Sequence, residues 1–407
     1  MELSRFCSQQ PASGLGRFEM DPDYRTLNQT GNTNDLRVLM IIDWFVNYAA
    51  PIAVSLKDTI DVRCVLKDHG TELGLPGRAI REKEAMFDPV QVDFVPGKQS
   101  DLRSLGALVR LIIKVRKFRP DVVHSQWHSD WRLLLLSLAV PRSSRILTVH
   151  DVTPHPGRQF HTSYFKRLVR WALYRTSDGF VVHGERLVPL LREDPRVRAL
   201  AYIGVVPHGS LAHPTERYPL PHDRCLLFFG WWEYYKGLDL LIQAMEAVGK
   251  ILGDVRLIVA GHGSEGPRAR SLVNTPELFE WREGYIPDED LPALFGSVSA
   301  VVLPYREASQ SGVVPLAFAN GRPVIATDVG ALGEAVEDGL NGLLVESPTV
   351  DGLRDAIIRL FAEPGLLATL ANGAQRTADE SLQPATIARK HQAVYAAVAA
   401  AKARRLC

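Results

Sequence analysis

Residues 303–330 read LPYREASQSGVVPLAFANGRPVIATDVG, and apolar and polar segments alternate along this stretch. An apolar strand over Ala300–Leu303 leads into it, and a polar loop then opens a short apolar helix over Val313–Ala319. Asn320-Gly321 ends that helix, because asparagine and glycine accept the backbone conformation of a helix terminus. A second apolar strand follows over Val324–Thr327. A strand, a helix and a second buried strand in this order predict a unit of a parallel sheet.

The same alternation continues on both sides of this unit. Further apolar runs predict strands over Arg37–Ile42, Val62–Leu66, Val122–His124, Ile146–Val149, Gly179–Val182, Leu226–Phe229 and Val255–Ala260. The stretches between them predict helices over Ser104–Phe118, Ser163–Tyr174, Leu238–Ile251, Asp290–Phe295 and Val350–Phe361. We therefore predict an α/β protein with two Rossmann-like parallel-sheet domains that face each other across a cleft.

A proline-rich segment marks the boundary between the two domains. Pro207-His208-Gly209 and the prolines from Pro214 to Pro221 interrupt the alternation. We expect a flexible tail over residues 1–36, a first domain over residues 37–213 and a second over residues 214–384. An alanine-rich helix over residues 385–407 ends the chain, and packing back on the N-terminal domain is one placement for it.

The composition is that of a globular protein without a nucleic-acid partner. Of the 407 residues, 46% are hydrophobic, and 47 basic residues balance 46 acidic ones. No apolar run reaches the roughly 18 residues that a membrane-spanning helix needs. The histidines and the cysteines lack metal-ligand spacing, so we expect no metal site and reduced thiols in a cytoplasmic protein; the cysteines are Cys7, Cys64, Cys225 and Cys407.

A lysine follows the first strand of the second domain. Residues 228–241 read FFGWWEYYKGLDLL, which places Lys236-Gly237 at the start of an amphipathic helix. Ligands of open parallel sheets bind outside the carboxyl ends of the strands, and a helix N-terminus attracts anions. Lys236 is therefore a candidate for holding a diphosphate. A solvated lysine after a turn glycine is the alternative interpretation.

The loop within residues 303–330 is the second candidate site. Free backbone N–H groups at Ser311–Val313 would form an anion-binding nest, and Glu307 and Gln310 make the loop polar. A tight strand–loop–helix turn without a ligand is the structural alternative.

Four motifs in this order resemble the donor domain of the family-4 retaining glycosyltransferases, which have the GT-B fold. They are the Lys236 loop, Gly261-His-Gly263, residues 303–330, and Glu334 with the run from Asp338 to Val345. The resemblance implies a nucleotide-diphosphate sugar as co-substrate, no cofactor and no metal. It further implies transfer with retention to a glycan or lipid-linked acceptor, in cell-surface polysaccharide or glycolipid synthesis. The N-terminal domain would be the acceptor side and the C-terminal domain the donor side.

The resemblance also implies roles for individual residues. The catalytic set would be His150, Asp151 and Glu307. His150 follows a predicted strand and is expected to face the cleft, although a histidine bonded to a loop carbonyl is the alternative. The donor-binding set would be Gly230, Glu233, Lys236, Gly237, Gly261, Gln310, Ser311, Gly312 and Val313.

The sequence departs from the family pattern at four places, and one of them is the predicted loop over residues 43–48, which follows the first strand where a glycine pair is expected. The two family glutamates are replaced by Ala308 and Leu316, and Trp231, Trp232 and Glu233 occupy the loop where an arginine is common. A branch of the family with Tyr-Lys-Gly and Ser-Gln-Ser-Gly motifs tolerates these changes. A catalytically impaired nucleotide-sugar-binding protein and a nucleotide-sugar epimerase of the same fold remain alternatives. A dehydrogenase is excluded, since no GxGxxG follows a predicted strand.

Two predicted helices of the first domain are basic. Arg110, Lys114, Arg116, Lys117 and Arg119 lie on or just after one helix, and a second carries Lys166, Arg167, Arg170 and Arg175. Basic residues interleaved with Phe165 and Trp171 resemble interfacial helices, so peripheral contact with an anionic membrane, on the inner face of the plasma membrane, is one interpretation. A solvated face over a buried stripe is the commoner meaning of such a pattern.

Overall fold

Two parallel sheets form the framework of the protein in the computed structural model, which describes residues 36–44, 46–67, 80–95, 100, 104–153, 163–209 and 217–406. The predicted N-terminal tail lies outside the described residues, apart from Leu36.

Seven strands form the N-terminal sheet: β1 (Arg37–Ile42), β2 (Asp61–Lys67), β3 (Gln91–Val95), β4 (Val122–Gln126), β5 (Ser144–Thr148), β6 (Gly179–Val182) and β7 (Tyr202–Val205). Their order across the sheet is β3-β2-β1-β4-β5-β6-β7. The connecting helices are α1 (Val46–Lys57), α2 (Leu105–Phe118), α3 (Trp131–Leu138), α4 (Tyr164–Thr176) and α5 (Leu187–Arg192), and a 3-10 helix spans Ile80–Phe87.

Six strands form the C-terminal sheet: β8 (Arg224–Trp231), β9 (Val255–His262), β10 (Phe279–Glu283), β11 (Ala300–Leu303), β12 (Val324–Thr327) and β13 (Gly342–Val345). Their order is β10-β9-β8-β11-β12-β13. The helices that follow along the chain are α6 (Leu238–Leu252), α7 (Gly266–Ser271), α8 (Leu291–Gly296), α9 (Val313–Ala319), α10 (Leu332–Ala335), α11 (Val350–Ala362), α12 (Leu366–Glu380) and α13 (Pro384–Leu406). The predicted two-domain parallel-sheet fold is confirmed.

Both faces of each sheet are covered by helices, which explains the continuous apolar strands. Along β1, Val38, Met40 and Ile42 pack into the core under α1, whereas Leu39 and Ile41 pack into the core under α2 and α3. Side chains alternate between the two faces of a strand, so a strand buried on both faces needs an apolar residue at every position.

The strands that the sequence analysis did not identify are the edges of the two sheets. They are β3, β7, β10 and β13. Of these, Phe279–Glu283 carries charged residues, with the sequence FEWRE, whereas β7 and β13 are apolar but only four residues long. Helix α1 occupies Val46–Lys57, so the predicted loop over residues 43–48 is corrected from Val46 onward; Pro51 inside the helix conceals it in the sequence. It forms because its apolar side chains are buried against β1 and β2.

The last helix of the chain packs on the N-terminal sheet. Ile387, Val394 and Val398 of α13 join the core that includes α1 and β1. Gly179 and Gly204 lie on β6 and β7 where a Cβ atom would collide with Val398 and Val394. The two glycines therefore let the helix lie directly against the strands.

Buried histidines and tyrosines join α13 to the carboxyl edge of this sheet. We call them the His–Tyr cluster, and its members are Tyr48, His124, His150, His183, His208, His391 and Tyr395. Tyr395 Oη lies 2.7 Å from His124 Nδ1, and Tyr48 Oη lies 3.1 Å from His391 Nε2.

Burial keeps the histidines of the His–Tyr cluster neutral. It lowers the pKa of His124 and His208 to about 3 and that of His183 to about 4. Burial and the neighbouring histidines place the pKa of His150 and His391 well below the usual value. An imidazolium in this cluster would lose its hydration and meet other cations, so the neutral form is favoured.

We predict that Tyr395→Phe destabilises the protein. The substitution leaves the buried His124 Nδ1 without its partner, which costs about 1–3 kcal/mol. Urea unfolding followed by tryptophan fluorescence measures the change. Tyr164→Phe, at an exposed position, is the matched control and should unfold like the wild type. Equal midpoints for both variants would contradict the proposed role of the hydrogen bond.

We also predict that stability falls as the solution is acidified below about pH 6.5. The unfolded histidines bind protons near that pH, while the folded ones do so only near pH 3–4. Stability is therefore complete above the unfolded pKa and is lost as the pH falls toward the folded pKa. Each such histidine contributes up to about 1.4 kcal/mol per pH unit.

Urea midpoints at about pH 7 and about pH 5 test this expectation. His208→Asn removes one titrating group and should make the dependence shallower, whereas His222→Asn changes an exposed histidine and should not. A stability that does not change over this range would show that the cluster accepts protons when folded.

Candidate active site

The Lys236 loop is shaped by a glycine with a left-handed backbone. A 3-10 turn over Tyr234–Lys236 leads into α6, and Gly237 between them has a φ of 66°. A Cβ atom at Gly237 would collide with the carbonyl oxygen of Pro304, at the end of β11. Only glycine meets both requirements without strain. The loop after β8 is thereby held against the loop after β11.

Lys236 is mostly buried and has no acidic partner within the described part of the chain. Its exposed fraction is 9%, and its Nζ lies 5.2 Å from the ring centroid of Tyr305. A Cβ atom on Gly230 would lie 3.1 Å from Nζ, so the glycine leaves the ammonium room. A mostly buried cation without a carboxylate is costly unless an anion joins it. The site is thus prepared for a negative ligand.

Asp239 fixes the two loops around Lys236. Arg306 donates to both of its carboxylate oxygens, at 2.8 and 2.9 Å, and Arg268 donates at 3.1 Å. Burial acts to raise the pKa of Asp239, yet the hydrogen bonds from Arg306 and the charges of both arginines hold that pKa below its usual value. The guanidinium of Arg306 is therefore held in place by its ion pair with Asp239. No pattern in the sequence indicated that Asp239 holds these loops together.

The aromatic residues of the Lys236 loop divide into two pairs. Trp232 and Tyr235 are buried, and Trp232 lies in the core of the C-terminal domain. Trp231 and Tyr234 are about half exposed, at 48% and 47%. Trp231 rests on His262, with ring centroids 4.2 Å apart. Trp231 and Tyr234 therefore present exposed rings beside the Lys236 loop. Glu233, which lies between Trp232 and Tyr234 in the sequence, accepts a hydrogen bond from the hydroxyl of Ser264 at 3.4 Å.

The loop before α9 places Gln310 and Ser311 on the cleft. Gln310 Oε1 is buried and has no hydrogen-bond partner in the described structure. Ser311 Oγ accepts from the N–H of Val313 at 3.2 Å and lies 3.5 Å from Tyr305 Oη. The expectation of free N–H groups over Ser311–Val313 is corrected at Val313, because the hydroxyl of Ser311 accepts from that N–H in a local turn before the helix. Glu307, in the same loop, is exposed.

Leu316 belongs to the core and cannot replace the missing glutamate. It is buried on α9 and packs in the cluster that covers one face of the C-terminal sheet. A carboxylate contact at this position is therefore absent.

His150 does not face the cleft as expected. It is 2% exposed, and its two ring nitrogens lie 3.0 Å from His183 Nε2 and 2.8 Å from the side-chain amide of Gln126. The physical reason is that β5 lies between β4 and β6 in the sheet. Gln126 at the end of β4 and His183 just after β6 therefore enclose His150, which lies two residues after β5. His183 and His208 line the cleft in its place, while Asp151 is exposed.

The hydrogen bonds determine the proton positions behind the cleft. The carbonyl of Val206 only accepts, so His183 donates to it from Nδ1 at 2.9 Å. Neutral His183 then accepts at Nε2 from His150 Nδ1–H. His150 Nε2 in turn accepts. The atom beside it is Gln126 Oε1, which also accepts, so this chain requires the Gln126 amide to be turned over so that its NH₂ group, which otherwise has no partner in the described structure, donates to His150. His150 is thus a positioned acceptor within a closed chain of hydrogen bonds.

A cavity of about 630 Å³ separates the domains next to this chain. The N-terminal domain contributes His183 and His208, and the C-terminal domain contributes Gln310 and Ser311. Residues of α12 and Lys390 of α13 close its far side. A cleft of this size between two sheet edges is a common position for a small-molecule site.

Three polar contacts hold the domains together beside the cavity. Glu334 accepts from the N–H groups of Glu185 and Arg186, at 2.6 and 2.7 Å. Arg186 forms an ion pair with Asp328 at 2.5 Å. Ser309 Oγ accepts from the N–H of Val152 at 3.1 Å. The glycine at position 184 is the trace of the Glu334 contact in the sequence. It lies just after β6, where a Cβ atom would collide with Ala331 and crowd Glu334.

Comparison with known proteins identifies each half of the chain. A model of the family described as Glycosyltransferase Family 4 matches residues 52–209, and one described as Glycosyl transferases group 1 matches residues 223–363.

Two curated relatives align over large parts of the sequence. The α-D-kanosaminyltransferase of Streptomyces kanamyceticus is 27% identical over 257 residues, which are 58% of this chain and 65% of the relative. A glycogen synthase of Mycobacterium tuberculosis is 25% identical over 344 residues, 78% of this chain and 80% of the relative.

Solved structures share the fold at low sequence identity. Anabaena HepE in complex with UDP aligns with a TM-score of 0.64 at 17% identity and covers 89% of this chain and 100% of its own. TarM aligns with a TM-score of 0.66 at 12% identity and covers 88% of this chain and 98% of its own. A glycosyltransferase model thus matches each half of the chain in succession, and the two sheets have the fold of the GT-B glycosyltransferases.

Proposed function

We propose that this protein transfers a sugar from a nucleotide-diphosphate sugar, bound in the cleft, to a glycan or lipid-linked acceptor with retention of configuration. The observation that carries the proposal is Lys236, a mostly buried ammonium without an acidic partner among the described residues. A departing nucleoside diphosphate gains negative charge in the transition state, and a fixed cation stabilises that charge. The complex of HepE with UDP supports the kind of ligand.

The proposed donor site surrounds Lys236. Gly237 and Gly261 let the backbone pass close to Pro304 and Gly230, and Gly230 leaves room beside the ammonium of Lys236. The loop at Gln310–Val313 would contact the phosphates and the sugar. Gln310 supports this assignment, because its buried Oε1 lacks a partner that a sugar hydroxyl would supply. Glu233 remains part of the proposed set. No metal is invoked, since Lys236 supplies the positive charge.

The proposed catalytic residues differ in their exposure to the cleft. Asp151 and Glu307 are both exposed to solvent. His150 would act through His183, whose ring lies on the cavity. The retaining course is carried over from the resemblance to family-4 enzymes. A role in cell-surface polysaccharide or glycolipid synthesis has the same basis.

We predict that one nucleoside diphosphate stabilises the wild type and that Lys236→Met abolishes this effect. A ligand at about 100 times its Kd adds about 2.7 kcal/mol. Thermal unfolding with UDP, GDP, dTDP, CDP and ADP measures it. Lys250→Met removes the same charge from the other end of α6 and is the matched control. If no diphosphate shifts the wild type, the donor proposal fails.

The same preparation separates the two rival functions. The protein is incubated with the sugar derivative of the nucleotide that stabilises it. A transferase releases the nucleoside diphosphate from this nucleotide sugar faster when an acceptor is added. An epimerase would isomerise the nucleotide sugar without any acceptor, and a binding protein would leave it unchanged. Mass spectrometry and NMR of the incubated nucleotide sugar distinguish the three results.

We further propose that α2, α3 and α4 rest on an anionic membrane. Helix α3 lies between the other two, and α2 and α4 carry eight basic residues and no acidic one. The three helices also expose large apolar side chains, namely Leu105, Val109, Ile113, Leu135, Leu138, Tyr164, Phe165, Leu168 and Trp171. Apolar side chains framed by cations suit the interface of an anionic bilayer. No helix in the described ranges is long and apolar enough to cross a membrane.

We predict that the double variant Phe165→Ser/Trp171→Ser binds anionic vesicles at least about tenfold more weakly, because each buried aromatic contributes about 1.5–3 kcal/mol when fully inserted. Cosedimentation with phosphatidylglycerol–phosphatidylcholine vesicles measures binding. Ile251→Ser changes an exposed apolar residue of the C-terminal domain and should bind like the wild type. Wild-type protein that stays in the supernatant, or a double variant that sediments equally, would contradict the proposal.

A further inference from the structure

A second set of charged side chains lies at the carboxyl edge of the N-terminal sheet, apart from the cavity. We call it the Asp–Lys cluster, and its members are Asp43, Lys67, His128, Asp130 and Arg132. Asp43 directly follows β1, Lys67 ends β2, and His128 and Asp130 follow β4. These three strands are neighbours in the order β2-β1-β4, so their ends converge at one place. Ligands of open parallel sheets bind at such ends.

The cluster is balanced in charge but only partly joined by hydrogen bonds. Arg132 donates to both oxygens of Asp130, at 3.1 and 2.8 Å. Lys67 lies 3.7 Å from a carboxylate oxygen of Asp43 and 3.7 Å from one of Asp130. These separations exceed a hydrogen bond, so the ammonium retains donors. The side chain of Lys67 is 12% exposed and that of Asp43 is 3% exposed, so Lys67 is the more accessible partner of this ion pair.

His128 is the buried group that this arrangement leaves without a partner. It is 1% exposed, and neither ring nitrogen has a hydrogen bond in the described structure. Burial lowers its pKa to about 4, against the charges of Asp43 and Asp130, which raise it. The neutral ring offers one donor and one acceptor. An unsatisfied buried imidazole is costly and therefore indicates a missing partner.

The chemistry of the cluster selects the partner. A phosphate would meet the carboxylates of Asp43 and Asp130, which repel it. No group of three or more histidine, cysteine or acidic side chains with metal-binding geometry occurs among the described residues. A hydroxyl group both donates and accepts, which matches neutral His128, and it also accepts from Lys67 and donates to a carboxylate. Neighbouring hydroxyls of a sugar ring provide several such groups.

We propose that the Asp–Lys cluster binds hydroxyl groups of a neutral sugar or polyol, and that the acceptor of this enzyme is therefore uncharged at the end that enters the cleft. This inference rests on the proposed function and names its acceptor class. The position agrees with it, since Asn47 at the start of α1, four residues after Asp43, donates to Asp288 of the C-terminal domain at 3.0 Å. The loop after β1 thus lies at the domain boundary.

The experiment measures acceptor binding at saturating nucleoside diphosphate. The neutral probes are methyl α-D-glucopyranoside, methyl α-D-mannopyranoside and myo-inositol. The charged probes are glucose 6-phosphate and myo-inositol 1-phosphate. Saturation-transfer NMR titrations give each Kd. We expect at least one neutral probe to bind more tightly than both phosphates.

Variants of His128 connect this binding to the cluster. His128→Phe should raise the Kd of the neutral probe about tenfold, as two lost hydrogen bonds predict, without lowering the melting temperature. His128→Gln keeps one donor and one acceptor and should restore most of the affinity. His124→Phe is the matched control: it leaves Tyr395 and Thr148 unpaired, so it should melt earlier and bind the probe like the wild type.

Three results would overturn the inference: phosphates that bind as tightly as the neutral probes, no binding of any neutral probe, or a His128→Phe variant with wild-type affinity. Failure of the donor proposal is recognised separately, because it shows as the absence of any nucleotide-induced thermal shift in the wild type.

Discussion

The structure depends on the burial of both sheets on both faces. A strand with helices above and below favours apolar side chains, so polar groups concentrate toward the carboxyl ends of the strands, as His124 and Gln126 do in β4. In the N-terminal domain this places Asp43, Lys67 and His150 at one edge, and in the C-terminal domain it places Lys236 and Ser311 at the facing edge. The chemistry of the protein is therefore confined to the cleft by the packing of its cores.

The two domains are joined by more than the chain that connects them. Helix α13 leaves the C-terminal domain and completes the N-terminal core, where Tyr395 bonds to His124. On the other side of the cleft, Glu334 receives two backbone N–H groups of the loop after β6. The His–Tyr cluster therefore couples the last helix to the same edge of the sheet that faces the C-terminal domain. Opening of the cleft would break the Glu334 contacts and leave α13 in place.

Charge is distributed unequally over the two sides of the cleft. The histidines of the N-terminal edge are neutral because burial lowers their pKa values. The Asp–Lys cluster balances its own charges, and Arg306 is committed to Asp239. Lys236 is left as a mostly buried cation without an acidic partner in the described structure. The anionic donor and the uncharged acceptor that we propose are each matched to one side of this distribution.

The sequence by itself determined the nine inner strands, the alternation with helices, and the positions of Lys236 and the Gln310–Val313 loop. Local apolar runs and glycines encode these features directly. Only the tertiary structure decided the edge strands and the direction of the His150 side chain. It also decided the ion pairs of Asp239, the contacts of Glu334 across the cleft, and the lack of hydrogen bonds at the ring of His128. Each of them depends on residues far apart in the chain. Whether a polar side chain lies on a cleft or behind it is set by neighbouring strands, which no local pattern records.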